Sequence, residues 1–287
     1  MLAIYKKELR AYFNSITGWL FLAFLLVFVG IFVYLYNFMQ GYTYIGYALS
    51  NISLVFALLV PVVTMRIMAE EKRQKTDQLL LTAPISIWKI VLGKYLSLVT
   101  LAAIAMILIS VYPIIFARFG IVNFAMSYAT ILGFFLVSCA YMAIGLFISS
   151  LTESQVLAAV LTFIVGLFTC LAEGIGNLLP ATSRVAWIFY SICMVWFMVW
   201  LWCTTKNATV ALVVAAIGEA VLTVVYLLNG AVLEGTVGKV FKAFSIQAVF
   251  DTTTTGVLEL RLPVYYLSVA FAFCFLTYQN IRKRRYS

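Results

Sequence analysis

Histidine is absent from all 287 residues, and only 10% of them are charged. The first absence removes the commonest metal ligand and the usual general acid–base group together. The second excludes a water-soluble domain, in which about a quarter of residues carry charge. Cysteine is scarce as well. Cys139, Cys170, Cys193, Cys203 and Cys274 all fall in or beside apolar runs, and no Cys-x-x-Cys pair occurs. They read as small buried hydrophobes and not as a redox or metal motif. A Gly-x-x-x-x-Gly-Lys-Ser/Thr loop is also missing, so the chain does not hold nucleotide by that route. No catalytic, cofactor-binding or metal-ligating set is expected.

Apolar residues fill the chain: 65% are hydrophobic, with a mean hydropathy of +1.08. The apolar stretches run to about 20 residues, the length of a helix crossing lipid, and lack the alternation of barrel strands. The expected fold is therefore all-α, a polytopic integral membrane protein of about eight transmembrane helices in a single domain over residues 1–287. The spans are expected near 17–36, 50–68, 90–116, 128–150, 154–172, 186–204, 208–230 and 263–281. Gly174, Gly176, Asn177 and Pro180 are expected to mark a loop between Glu173 and Arg184.

The net charge of +9 suggests nucleic acid until its distribution is considered. Fourteen of the 19 basic residues lie on the side that holds both termini, and five on the other. That asymmetry predicts a chain with N- and C-termini in the cytoplasm, and no nucleic-acid partner. Residues 1–16 place Leu2, Tyr5, Leu9, Tyr12, Phe13 and Ile16 at helical spacing, with Lys6, Lys7, Glu8 and Arg10 on another face. This predicts an amphipathic helix in the membrane interface. A signal peptide is not expected, because no small-residue cleavage site follows the next apolar run.

Residues 66–94 form a polar island between two spans. Six basic residues, Arg66, Lys72, Arg73, Lys75, Lys89 and Lys94, stand beside Glu70, Glu71 and Asp77. From Glu70 to Leu81 there is no Gly or Pro, Leu79 to Leu81 make an apolar patch, Pro84 stops the pattern, and Ser86 is a cap for the next helix. The spacing predicts a short helix across the membrane surface, joined rigidly to two spans, so that a push on it tilts both.

The stretch EEKRQKTDQLLLTAPISIWKIVLGKYL resembles the signature of ABC-2 type permeases, the membrane subunits of type V ATP-binding-cassette transporters. It is most similar to the gliding-motility and nitrous-oxide-reductase-maturation subgroup. The family's acidic pair corresponds to Glu70 and Glu71, its Thr-acid-Leu-Leu-Leu-Thr-x-Pro run to Thr76, Asp77, Leu79, Leu80, Leu81, Thr82 and Pro84, and its Gly-Lys to Gly93 and Lys94. Lys75 departs from the small residue that often precedes the threonine. The segment from Gly256 to Leu267 before the last span also resembles the family. The likeness covers residues 1–172 and 240–287, and 173–239 read as an extra helical pair.

The resemblance implies that residues 70–84 are a coupling helix seated on a separate ABC ATPase subunit, which binds the ATP. It also implies that Glu70, Glu71, Thr76, Asp77, Leu79, Leu80, Leu81, Thr82 and Pro84 make that contact. A second permease subunit is implied, as homodimer or heterodimer, in a bacterial cytoplasmic membrane and surrounded by its lipids, with export as the direction.

Glu219 lies well inside a span, where a charge costs roughly 2.5–3.5 kcal/mol on insertion scales. It is expected to face protein or water, as a substrate contact or a helix-packing residue. Two other readings remain: a secondary transporter or channel that needs no ATPase, or an auxiliary membrane subunit. An intramembrane protease using Glu70 and Glu71 is excluded, since that chemistry needs histidine.

Overall fold

A computed structural model describes residues 1–78, 85–254 and 261–286, and the regular elements among them are all helical. In chain order these are α1 (Leu2–Asn14), α2 (Ile16–Val33, continued by a π turn Tyr34–Phe38), α3 (Gly46–Arg73), α4 (Ile87–Ile109), α5 (Tyr112–Phe116), α6 (Phe124–Leu151), α7 (Gln155–Leu178), α8 (Ser183–Thr205), α9 (Ala208–Asn229), a 3-10 turn (Gly230–Leu233), α10 (Thr236–Phe244), α11 (Ile246–Thr254) and α12 (Arg261–Tyr286). Among the described residues, eight segments are long and apolar enough to cross a membrane: α2, α3, α4 with α5, α6, α7, α8, α9 with its 3-10 turn, and α12. The protein is an all-α, multi-pass membrane protein.

Three differences from the sequence reading have physical reasons. The second span does not end near residue 68. α3 runs unbroken to Arg73, so Glu70 and Glu71 occupy its last turn instead of opening a separate helix. Lys72 and Arg73 lie in that turn, where cations favour the helix C-terminus. The chain then turns at Lys75, whose φ is +56°, and is helical again at Asp77 and Gln78. The expected loop after Glu173 is also displaced, because α7 continues to Leu178. Gly176 is there for close packing: a Cβ at that position would lie 2.9 Å from the Cβ of Phe241 and 3.3 Å from the Gly238 carbonyl on α10. Finally, the mixed stretch beyond residue 230 holds two short helices, α10 and α11.

The contacts divide the chain into two units, Met1–Cys170 with Ile246–Ser287, and Leu171–Ser245. In the first, α3 and α6 form the core: Phe56 packs edge-on against Phe134 and Tyr141, and Phe134 against Phe250. Gly145 lies so close to Thr64 that a Cβ there would collide with it. Ser149 fastens the same seam, its hydroxyl accepting from the Met68 and Ala69 amides at 3.2 Å and donating to the Met65 carbonyl at 3.1 Å. In the second unit, α8 and α9 pair through Trp187 against Tyr226 and through Met194 against Gly218. Ala186, Leu233 and Val237 make a small separate core.

Candidate functional site

The polar island closes around one lysine. Lys94, on the second turn of α4, is fully buried. Its ammonium donates to Glu8 Oε1, Glu71 Oε2 and the Ile67 carbonyl, each at 2.8 Å. All three ammonium hydrogens thus have an acceptor. Lys7 completes the lattice with Glu71 Oε1 at 2.8 Å and Glu8 Oε1 at 3.9 Å. Two cations and two carboxylates therefore join α1, α3 and α4. Burying charge costs several kcal/mol per ion and is tolerated only with this degree of pairing.

Helix α1 delivers its carboxylate on a face the sequence reading did not choose. Ile4, Glu8 and Tyr12 recur every fourth residue and are buried, whereas Leu2, assigned to the apolar face, is 69% exposed. Ile4 packs over Gly93, where a Cβ would approach to 3.2 Å, and Tyr5 shares a 3.0 Å hydrogen bond with Thr100. Tyr12 donates to the Val63 carbonyl at 2.9 Å, two residues beyond Pro61 of α3. Burial raises the phenol pKa of Tyr12. For Lys7, burial works against the charge, but the Glu71 hydrogen bond and the Glu71 and Glu8 charges outweigh it and raise the pKa above 10.5.

Glu70 faces away from this lattice. It pairs with Arg66 through Nε at 2.8 Å and Nη2 at 3.4 Å, and accepts from Gln74 at 3.3 Å. Thr76 is exposed and donates to the Glu71 carbonyl at 3.3 Å. Asp77 meets Arg284 of α12 at 3.4 Å, and the same guanidinium reaches Glu153, in the turn between α6 and α7, at 3.5 Å. Lys72 donates to the Ser150 carbonyl, which also accepts from Asn280 Nδ2 at 2.6 Å. A cavity of about 30 Å³ separates the Lys94 lattice from the Arg284 pair. Leu79, Leu80, Leu81, Thr82 and Pro84 lie outside the described residues.

Four of the nine residues expected to contact a partner are thus placed, and three of them, Glu70, Glu71 and Asp77, are engaged within the chain. Arg73, Gln74, Lys75, Thr76 and Gln78 are the exposed residues of this stretch. Sequence reasoning missed Lys7, Glu8 and Arg284 as members of the cluster.

Glu219 accepts from Ser191 Oγ at 2.7 Å across the α8–α9 pair and is half-buried. Toward the start of α3 there is a second polar group in the first unit. Gln247 Nε2 donates to the Ser50 carbonyl at 3.2 Å and to Asp251 Oδ1 at 2.9 Å. Tyr141 and Cys170 lie 3.1 Å apart, and Cys170 Sγ lies 3.9 Å from the Ser53 carbonyl.

Residues 33–232 match the family model described as "ABC-2 family transporter protein". The match runs through residues 173–232, most of the stretch read above as an extra helical pair outside the resemblance. No curated protein matches the chain.

Proposed function

Because the chain belongs to the ABC-2 family of transporter membrane proteins, we propose that it is the permease subunit of an ATP-driven exporter of the gliding-motility or nitrous-oxide-reductase-maturation type. Its ATPase is a separate chain, and two permease subunits, identical or homologous, pair in a bacterial cytoplasmic membrane with all termini in the cytoplasm. The segment from Glu70 to Pro84 receives the ATPase, through the exposed residues Arg73 to Thr76 and Gln78.

The observation that carries this reading is the buried Lys94. Motion of the last turn of α3 cannot leave α1 and α4 behind, because Glu71 and Glu8 each bond at 2.8 Å to the fully buried Lys94. Asp77 extends the same connection to α12 through Arg284. A push at the surface becomes a rearrangement of four helices. Two packings of those helices with different affinity for the cargo then give directional movement. The Ser191 hydrogen bond favours helix packing as the role of Glu219.

Purification of the native assembly tests the reading directly: an ABC ATPase should accompany the permease, and Arg73→Glu with Lys75→Glu should release it or lower its ATP turnover. Both residues are exposed and outside the lattice, so stability should fall by no more than about 1 kcal/mol, the worth of a charge at a helix C-terminus. An assembly without an ATPase, or full ATP-driven transport by the double variant, would retire the proposal.

A further inference from the structure

A cleft of about 420 Å³ opens beside the lattice, between α1, the α1–α2 joint and the last turns of α3. Its floor is the joint itself, where Ser15 Oγ and Thr17 Oγ1 lie 2.7 Å apart. Its walls carry Lys7 and Arg66 on one hand and Glu70 and Gln74 on the other. We propose that this cleft holds the headgroup of a phospholipid bearing a primary amine, phosphatidylethanolamine in kind, independently of what the protein transports.

Depth comes first. The floor sits where the first apolar span begins, and Trp19 is nearby, its indole N–H donating to the Phe13 carbonyl at 2.9 Å while its ring is 59% exposed. Trp in that posture marks the level of headgroups. Ile16, Trp19 and Leu20 continue from the cleft as exposed apolar surface, on which acyl chains can lie. A soluble anion would have no use for that surface.

Donors and acceptors come next. Arg66 spends Nε and Nη2 on Glu70, and its Nη1 has only a 3.5 Å contact with Thr17. Lys7 spends one N–H on Glu71 and is otherwise open, 63% exposed. These two cations supply the free N–H groups that a phosphate oxygen accepts. Glu70 stands one turn further along α3 and accepts from an ammonium.

Charge decides between lipids. Lys7, Arg66 and Lys94 are balanced by Glu8, Glu70 and Glu71, so the cleft and its support are neutral. An anionic headgroup would bring an unmatched negative charge next to three carboxylates. A zwitterion brings none. A trimethylated amine has no N–H to give to Glu70, so a choline lipid forfeits half of the recognition.

The experiment compares the full chain in nanodiscs of phosphatidylcholine alone, with added phosphatidylethanolamine, and with added phosphatidylglycerol. Thermal unfolding and lipid adducts in native mass spectrometry are the readouts. Phosphatidylethanolamine should raise the unfolding temperature and persist as an adduct. Arg66→Gln should abolish that preference, and Thr17→Val, which leaves the Arg66–Glu70 pair intact, should weaken the adduct several-fold. Soluble phosphoethanolamine added to phosphatidylcholine discs should do nothing. Equal stabilisation by phosphatidylglycerol or phosphatidylcholine would overturn the proposal, as would an ethanolamine preference that survives both substitutions. An equal effect of the soluble headgroup would overturn its membrane source.

Discussion

Helices α6 and α8 are both apolar enough to cross a membrane, with mean hydropathies of 2.4 and 1.9 in their apolar stretches, yet 78% of the first stretch is buried in the protein and 6% of the second. Helices α3 and α9 repeat the contrast, at 67% and 6%. Hydropathy therefore says which solvent a helix tolerates and nothing about what it touches. Composition says more. α6 brings Gly133, Ser138, Ala140, Ala143, Gly145, Ser149 and Ser150 to the seam with its neighbours, and all are buried. α8 presents Ile192, Trp196, Trp200 and Trp202, all at least half exposed. In lipid, where apolar contact alone gives no preference for protein over solvent, small residues and hydroxyls make the helix–helix contact.

That contrast can be broken or sharpened by substitution. Lys94→Met should have the largest effect, a loss of about 3 kcal/mol, because it strands the buried Glu8 carboxylate and leaves Glu71 with Lys7 alone. Adding Glu8→Gln and Glu71→Gln should recover most of it, as read from unfolding in detergent. Full stability of Lys94→Met alone would mean that the lattice does not hold the first unit together. Gly145→Leu comes next, costing about 1–3 kcal/mol through overpacking against Thr64, and Thr64→Ala in the same chain should return part of the loss. Ser149→Ala should cost about 0.6 kcal/mol, the usual worth of an interhelical hydrogen bond in a membrane.

In the second unit, Trp196→Ala and Glu219→Gln should each stay within about 0.5 kcal/mol, since the first touches little and the second keeps an acceptor for Ser191. A large loss from Trp196→Ala would show that α8 is covered by something in the native assembly. The smallest effect concerns Lys7. Its pKa is raised above 10.5, so its contribution is complete below that pH and fades only as pH climbs through the shifted value. Hydrogen exchange in α1 should be flat from neutral pH to about pH 9 after correction for intrinsic rates.

All eight spans were legible from apolar runs and basic punctuation, because insertion depends on local composition. Helix ends were less legible. The glycines after Glu173 carried the ordinary signal of a loop, but Gly176 serves a close approach by α10, and only the fold supplies that neighbour. The polar island was readable as a charge pattern and not as a set of bonds. Glu71 and Lys94 are 23 positions apart, and Glu8 is 86 positions from Lys94. Nothing in the spacing of α1 distinguished Glu8 from Lys6 or Arg10, since the buried stripe is Ile4–Glu8–Tyr12 and includes a charge.

The saturated ammonium of Lys94 also bears on biogenesis. Its acceptors come from α1 and from the end of α3, both made before the lysine itself, which arrives only with α4. Until that moment Glu8 and Glu71 have no buried counter-ion, and a nascent chain whose opening helix has not docked carries naked charge at the bilayer. Closure of the trio thus reports that the early segments have been threaded in the right order.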